Sequence, residues 1–158
     1  RLTLRPRDTL RFGHVVDLDP DTGIPLRALT LDLENKLLER FEFAEITISP
    51  LSASYHDNSN SLISTSSEII PGYFRINDEK EKGILVVGDG FSVASGFVEP
   101  LPAGVPLGEG AVLEGATLIY SRGVFGLSGA VLISVMGEIP LVTARLLADT
   151  VRPAQMGS

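Results

Sequence analysis

"YSRGVFGLSGAVLISV", residues 120–135, carries glycines at positions 123, 126 and 129. Glycines so close together serve either a loop that cradles phosphate or a tight turn between strands, and the two alternatives belong to different folds. A phosphate loop follows a strand and opens a helix, whose N-terminal amides hold the anion. Here Gly129 is followed by "AVLISVMG", a short β-branched run of the kind that forms strands, and no Lys-Ser or Lys-Thr pair follows the glycines. They therefore mark a turn and a close backbone approach between two strands.

Outward from that turn, "GILVVGDGFSVASGFVEP" (83–100), "AVLEGATLIYS" (111–121), "GAVLISVMG" (129–137) and "PLVTARLLA" (140–148) are apolar runs separated by Gly or Pro. A spacing of roughly 8–12 residues per unit predicts an antiparallel sandwich or barrel. In the last run, alternation puts Val142, Ala144 and Leu146 inward and Thr143 and Arg145 outward. "GE" at 137–138, ahead of Pro140, reads as a hairpin turn.

In the first half, "FEFAEITI" (41–48) alternates as a strand does, and "SNSLISTSSEII" (59–70) becomes a Ser/Thr-rich strand. "GYFRI" (72–76) and "GILVV" (83–87) flank the charged loop "NDEKEK" (77–82). "LDLENKLLERF" (31–41) holds either a short helix or the lead into a strand, since Leu33, Leu37 and Phe41 fall at helical spacing. "DLDPDTGIP" (17–25) is turn chemistry, and "EPLPAGVPLGEG" (99–110) is a long loop between strands.

With 158 residues the chain is sized for one domain with its own core, and its net charge of −7 argues against the basic face of a nucleic-acid reader. Arg1, Arg5, Arg7 and Arg11 crowd the start and read as a solvated segment. The chain has no cysteine, which excludes disulfides, thiol nucleophiles and thiolate metal sites. His14 and His56 lie far apart with no ligand-spaced partner, so no metal is expected. No apolar run reaches the roughly 18 residues of a membrane helix. "RLTLRPRDTLRF" lacks the apolar core of a signal peptide, which leads to the expectation of a cytoplasmic protein.

Three further stretches, taken in order, carry a resemblance: "SYHDNSNSLISTSS" (54–67), "GDGFSVASG" (88–96) and "IYSRGVFGLSGAVLISVMG" (119–137). Together they resemble the small bacterial β-barrel cyclases of spirotetronate and related polyketide pathways, the Diels–Alderases of the abyssomicin and pyrroindomycin type. More distantly they resemble plant allene oxide cyclases. The resemblance implies an all-β chain: a single antiparallel eight-stranded barrel of the allene oxide cyclase or lipocalin-like type. The barrel would span residues 41–150, with an irregular N-terminal arm or lid at 1–40 and a tail at 151–158. It further implies a cofactor-free enzyme that performs an intramolecular [4+2] cycloaddition on a linear polyketide in antibiotic biosynthesis. Such a reaction needs no base, nucleophile or metal, because its barrier falls when the reacting ends are held in near-attack geometry.

Candidate residues follow from chemistry and strand position. Tyr73 and Tyr120 are hydroxyl donors able to polarise a carbonyl, and Glu68, a carboxylate beside apolar strand residues, is an acid or base if it faces inward. Phe74, Phe91, Phe97, Ile133 and Met136 are expected to line a cavity, with Thr65 of the "STSS" run as a further hydroxyl. Glu114 has the same character as Glu68. Tyr55 abuts a polar turn, and His56 and Asp57, as strand neighbours, would point to opposite faces. The expected partner is a hydrophobic small-molecule substrate, with self-association into a homodimer and no nucleic acid or membrane. Two alternatives stand beside the cyclase: a non-catalytic barrel that binds a lipophilic small molecule, and a structural β-domain filled by its own side chains.

Overall fold

The strand pair on either side of the glycine-rich stretch forms as its residues predict. Strands β10 (Thr117–Gly126) and β11 (Gly129–Gly137) pair antiparallel from Leu118↔Gly137 to Gly126↔Gly129. They belong to a computed structural model that describes residues 1–47, 67–79, 83–126 and 129–151. Thr65, Tyr55, His56, Asp57, all of the "STSS" run but Ser67, and most of the 54–67 and 59–70 stretches lie outside the described residues.

Two antiparallel sheets make up the described fold. The first holds β1 (Leu2–Leu4), β2 (Gly13–Leu18), β3 (Pro25–Leu31) and β4 (Leu37–Glu42) in sequence order. Its turns are set by Asx chemistry: the Asp19 carboxylate accepts the Asp21 N–H and the Thr22 hydroxyl, and that of Asp32 accepts the N–H groups of Glu34 and Lys36. Asn35, at φ 63°, takes the left-handed position that Asn tolerates. The second sheet holds β5 (Glu68–Ile70), β6 (Tyr73–Glu79), β7 (Ile84–Gly88), β8 (Val93–Pro100) and β9 (Gly108–Glu114) together with β10 and β11, in the order β5-β6-β7-β8-β11-β10-β9.

The expected eight-stranded barrel does not form. Closure requires the outermost strands of a sheet to hydrogen-bond to each other, and here β5 and β9 end one open sheet while β1 and β4 end the other. Nor is the N-terminal segment irregular, since residues 2–42 supply the whole four-stranded sheet. "LDLENKLLERF" forms no helix: Leu31 ends β3, the Asp32 turn follows, and β4 runs from Leu37 to Glu42. The strand expected at 41–48 therefore starts earlier and ends at Glu42 among the described residues.

The "PLVTARLLA" run is a helix, α1 (Leu141–Thr150), not a strand. Thr143, Ala144, Leu147 and Ala148 are buried on one side, a stripe at helical spacing that the strand reading splits across two faces. Thr143, expected outward, is fully buried. Leu, Ala and Arg are strong helix formers, and Pro140 starts the helix by offering its carbonyl to the N–H groups of Thr143 and Ala144. The "GE" at 137–138 therefore leads into a helix and not into a further strand.

Helix α1 lies on one face of the seven-stranded sheet, where Leu85, Val87, Leu118, Tyr120, Ile133 and Val135 meet Ala144, Leu147 and Ala148 in a single core. Each large apolar side chain buried there contributes about 1.5–3 kcal/mol. The helix covers the sheet face that a barrel would have turned toward a cavity.

Candidate functional site

The two sheets are joined through residues 8–12, the connection between β1 and β2. The Leu10 carbonyl accepts the Thr143 hydroxyl of α1 at 2.7 Å and the Tyr73 hydroxyl of β6 at 3.1 Å. Next to it, Arg11 makes three polar contacts, two of them to turns of the seven-stranded sheet. Its Nε donates to Asp89 at 2.9 Å, its Nη2 donates to the Pro71 carbonyl at 2.9 Å, and its Nη1 pairs with Asp8. The guanidinium sits 4.9 Å from the Tyr73 ring centre, in cation–π range.

Asp89 holds the turn between β7 and β8 by accepting the Phe91 and Ser92 N–H groups at 2.9 and 2.7 Å. Phe91 leans on His14, ring centres 4.4 Å apart. Burial lowers the His14 pKa, with Asp89 acting in the opposite sense. Burial raises the Tyr73 pKa, so its hydroxyl stays protonated and donating. The Tyr73 and Thr143 hydroxyls and the Asp89 carboxylate bind one element to another, while Asp8 holds Arg11 within its own connection.

A second polar cluster ties α1 to the far side of the sheet. Tyr120 donates to Glu109 Oε2 at 2.7 Å, Arg145 donates to Glu109 Oε1 at 2.7 Å, and Arg122 pairs with Asp149 at 2.8 Å. The hydrogen bonds from Tyr120 and Arg145 hold the Glu109 carboxyl below its ordinary pKa. Burial, then the Glu109 hydrogen bond, raises the pKa of Tyr120. An open groove of about 580 Å³ lies elsewhere, on the four-stranded sheet, bordered by Arg1, Arg5, Asp8 and Asp32 with Leu4 and Leu31.

The residues singled out from sequence are dispersed. Tyr73, Tyr120 and Ile133 are buried on the helix-covered side of the sheet. Tyr73 and Tyr120 stand four strand positions apart, about 19 Å along the sheet at ordinary strand spacing. Phe97 pairs with Ser134 and Met136 with Ser95, which puts both on the face opposite Ile133 and Tyr120. Phe74 is exposed on β6, Phe91 is exposed in its turn, and Glu68 accepts the Gly72 N–H at the β5–β6 turn. Glu114 is exposed at the end of β9. Sequence reasoning overlooked Arg11, Glu109 and the pairing of Arg145. Arg11 was legible only as one of four early cations, although its position inside the apolar run "LRFGHVV" sets it apart. Among the described residues, no three His, Asp or Glu side chains gather in a way that would hold a metal ion.

Comparison with known proteins places this arrangement. The family described as the MucB/RseB N-terminal domain matches residues 1–67. The chain is 29% identical over 178 residues to the sigma factor AlgU regulatory protein MucB of Pseudomonas aeruginosa, covering 96% of this chain and 55% of that protein. It is 25% identical over 170 residues to the sigma-E factor regulatory protein RseB of Haemophilus influenzae, covering 93% and 52%. Among solved structures, MucB in complex with MucA(peri) superposes with a TM-score of 0.70 at 29% identity, over 92% of this chain and 58% of that one. The Pseudomonas aeruginosa MucA/MucB complex gives 0.69 at 29% identity, over 90% and 55%. The chain spans about half the length of the curated relatives it matches.

These similarities overturn the resemblance to Diels–Alderase barrels and to allene oxide cyclases, and the cyclase function with it. The relatives are named as regulatory proteins and not as enzymes, so neither a cycloaddition, a place in polyketide or antibiotic biosynthesis, nor a lipophilic-ligand carrier stands. The small-molecule polyketide partner loses its support, since the MucB to which this chain is similar is solved with MucA(peri), a protein. The cytoplasmic expectation falls for the same reason, because that partner is a periplasmic domain. Short strand-and-turn pieces such as "GDGFSVASG" recur wherever antiparallel strands meet in tight turns, and so they misdirect. Over nearly its whole length, what this chain is similar to is MucB, a sigma factor regulatory protein.

Proposed function

We propose that this chain is a protein-binding module of a sigma factor regulator, acting in the periplasm on a partner of the MucA kind. The observation that carries this reading is the 29% identity to MucB across 96% of the chain. It is supported by the superposition on MucB bound to MucA(peri), with a TM-score of 0.70. The chemistry of the described residues agrees with it. The hydroxyls and carboxylates at the two polar clusters are spent on joining sheets and helix, while large apolar side chains such as Phe41, Phe43, Val112 and Phe125 stand at the surface. Apolar surface of that kind is where a protein partner gains its binding energy.

The test is a chimera in which this chain replaces the matched half of Pseudomonas aeruginosa MucB. Titration calorimetry with MucA(peri) should give an affinity within about tenfold of native MucB, a difference of about 1.4 kcal/mol. A chimera that folds by circular dichroism but no longer binds MucA(peri) refutes the proposal.

A further inference from the structure

Among the described residues four strands end the two sheets, and three of them are blunted. β1 and β5 are three residues long, and the β5–β6 register is shifted between Glu68 and Ile70. β4 is longer, but its register with β3 shifts between Thr30 and Leu31, and it carries Glu39, Arg40 and Glu42. Short edges, bulges and charge are the ordinary devices that stop a sheet from adding strands.

β9 is neither short nor bulged, and its charge is limited to Glu109 and Glu114. Its seven residues, "GEGAVLE", are all exposed, and its register with β10 runs unbroken through seven pairs from Glu114↔Thr117 to Gly108↔Gly123. It contains no proline, lysine or arginine. At its centre Val112 and Leu113 are 65% and 47% exposed, one on each face of the sheet. Glu109 is engaged by Tyr120 and Arg145, so Glu114 carries the strand's uncompensated charge among the described residues. A regular edge of this length offers its outward N–H and C=O groups to an extended segment.

We propose that β9 is the docking edge for the protein partner, which adds to the seven-stranded sheet as an eighth, extended strand. This rests on the protein-binding reading above and assigns it a place. The added segment bears apolar side chains at its centre, against Val112 and Leu113, and a basic residue opposite Glu114. The charge of Glu114 and the net charge of −7 on the chain both favour a cationic segment over a second copy of this chain, whose like charge repels.

Hydrogen–deuterium exchange on the whole chain, with and without MucA(peri), reads the docking edge directly. Binding should slow exchange at residues 108–114, because strand addition bonds the outward N–H groups that solvent otherwise reaches. Val112→Lys and Glu114→Gln alter exposed side chains and leave the β9–β10 register in place, which the melting temperature checks. The lysine should weaken MucA(peri) binding about tenfold or more, and Glu114→Gln should lower both the affinity and its salt dependence. A complex that forms with β9 exchange unchanged, or with Val112→Lys at full affinity, overturns the edge while the protein-binding reading stands. Protection of β9 in the free protein that grows with concentration assigns the edge to a second copy and overturns a partner strand. Absence of any complex with the unaltered chain overturns both.

Discussion

The Leu10 carbonyl is where the four-stranded sheet, the seven-stranded sheet and α1 are fastened together, and its two donors make the fastening measurable. Tyr73→Phe removes a 3.1 Å hydrogen bond from a fully buried ring, and Thr143→Val removes a 2.7 Å one from a fully buried side chain. In either single variant the carbonyl keeps one donor, so each should cost about 1 kcal/mol, the net worth of an ordinary hydrogen bond. In the double variant the carbonyl loses both donors inside the junction, which adds a desolvation penalty of about 1 kcal/mol or more. The total then comes to about 3 kcal/mol, with a coupling of about 1 kcal/mol between the two sites. Urea unfolding followed by far-ultraviolet circular dichroism suits a chain without tryptophan and yields all four corners of the cycle. Simple additivity, within about 0.4 kcal/mol, would show that the two donors do not share one acceptor and would refute this account of the junction.

Three further expectations follow from the same contacts. Leu147 is 2% exposed under the sheet, so Leu147→Ala should cost about 3 kcal/mol, whereas its partly exposed neighbour Leu146→Ala should cost about 1 kcal/mol or less in the same unfolding experiment. Gly72 lies at φ +75° with the Arg11 guanidinium where a Cβ would go, while Gly90, at φ +90°, has nothing within 4 Å. Gly72→Ala should therefore lower stability by about 2 kcal/mol and Gly90→Ala by about 1 kcal/mol; equal losses would remove Arg11 from the account. The Glu109 carboxyl, depressed by Tyr120 and Arg145, contributes stability that is present above its ordinary pKa of 4.5 and is lost as pH falls through the lower folded value. Glu109→Gln should accordingly flatten the acid limb of a melting-temperature profile between pH 7 and pH 3, leaving wild type and variant closer at the acid end.

Much of the strand pattern was legible because its signals are local. The glycines after Tyr120 fit a turn and no phosphate loop, and β10 and β11 pair across them. "GYFRI" and "GILVV" on either side of a charged run become β6 and β7, and "DLDPDTGIP" becomes the Asx turn between β2 and β3. The "PLVTARLLA" run failed because a short apolar stretch fits both periods. Ala144 and Leu147 fall on opposite faces of a strand but share a stripe on a helix, and only the sheet face beneath them selects the helix. The polar clusters were less legible still. Arg11 and Asp89 are 78 positions apart and Arg145 and Glu109 are 36 apart, and nothing local in the chain announces such pairs.

By itself the sequence determined that this is an antiparallel β protein, where several of its turns fall, and that thiol chemistry has no place in it. Turn residues and alternation act over a few positions, so they are written where they act. Tertiary structure alone decided that the strands divide into two open sheets, that α1 fills the space a cavity would need, and that β9 is left as a long regular edge. Closure of a sheet is a contest between pairing its two outermost strands and covering its apolar face with something else. Here the helix covers that face, at positions remote in sequence from the strands it meets, and the contest is settled only when all of them are in place.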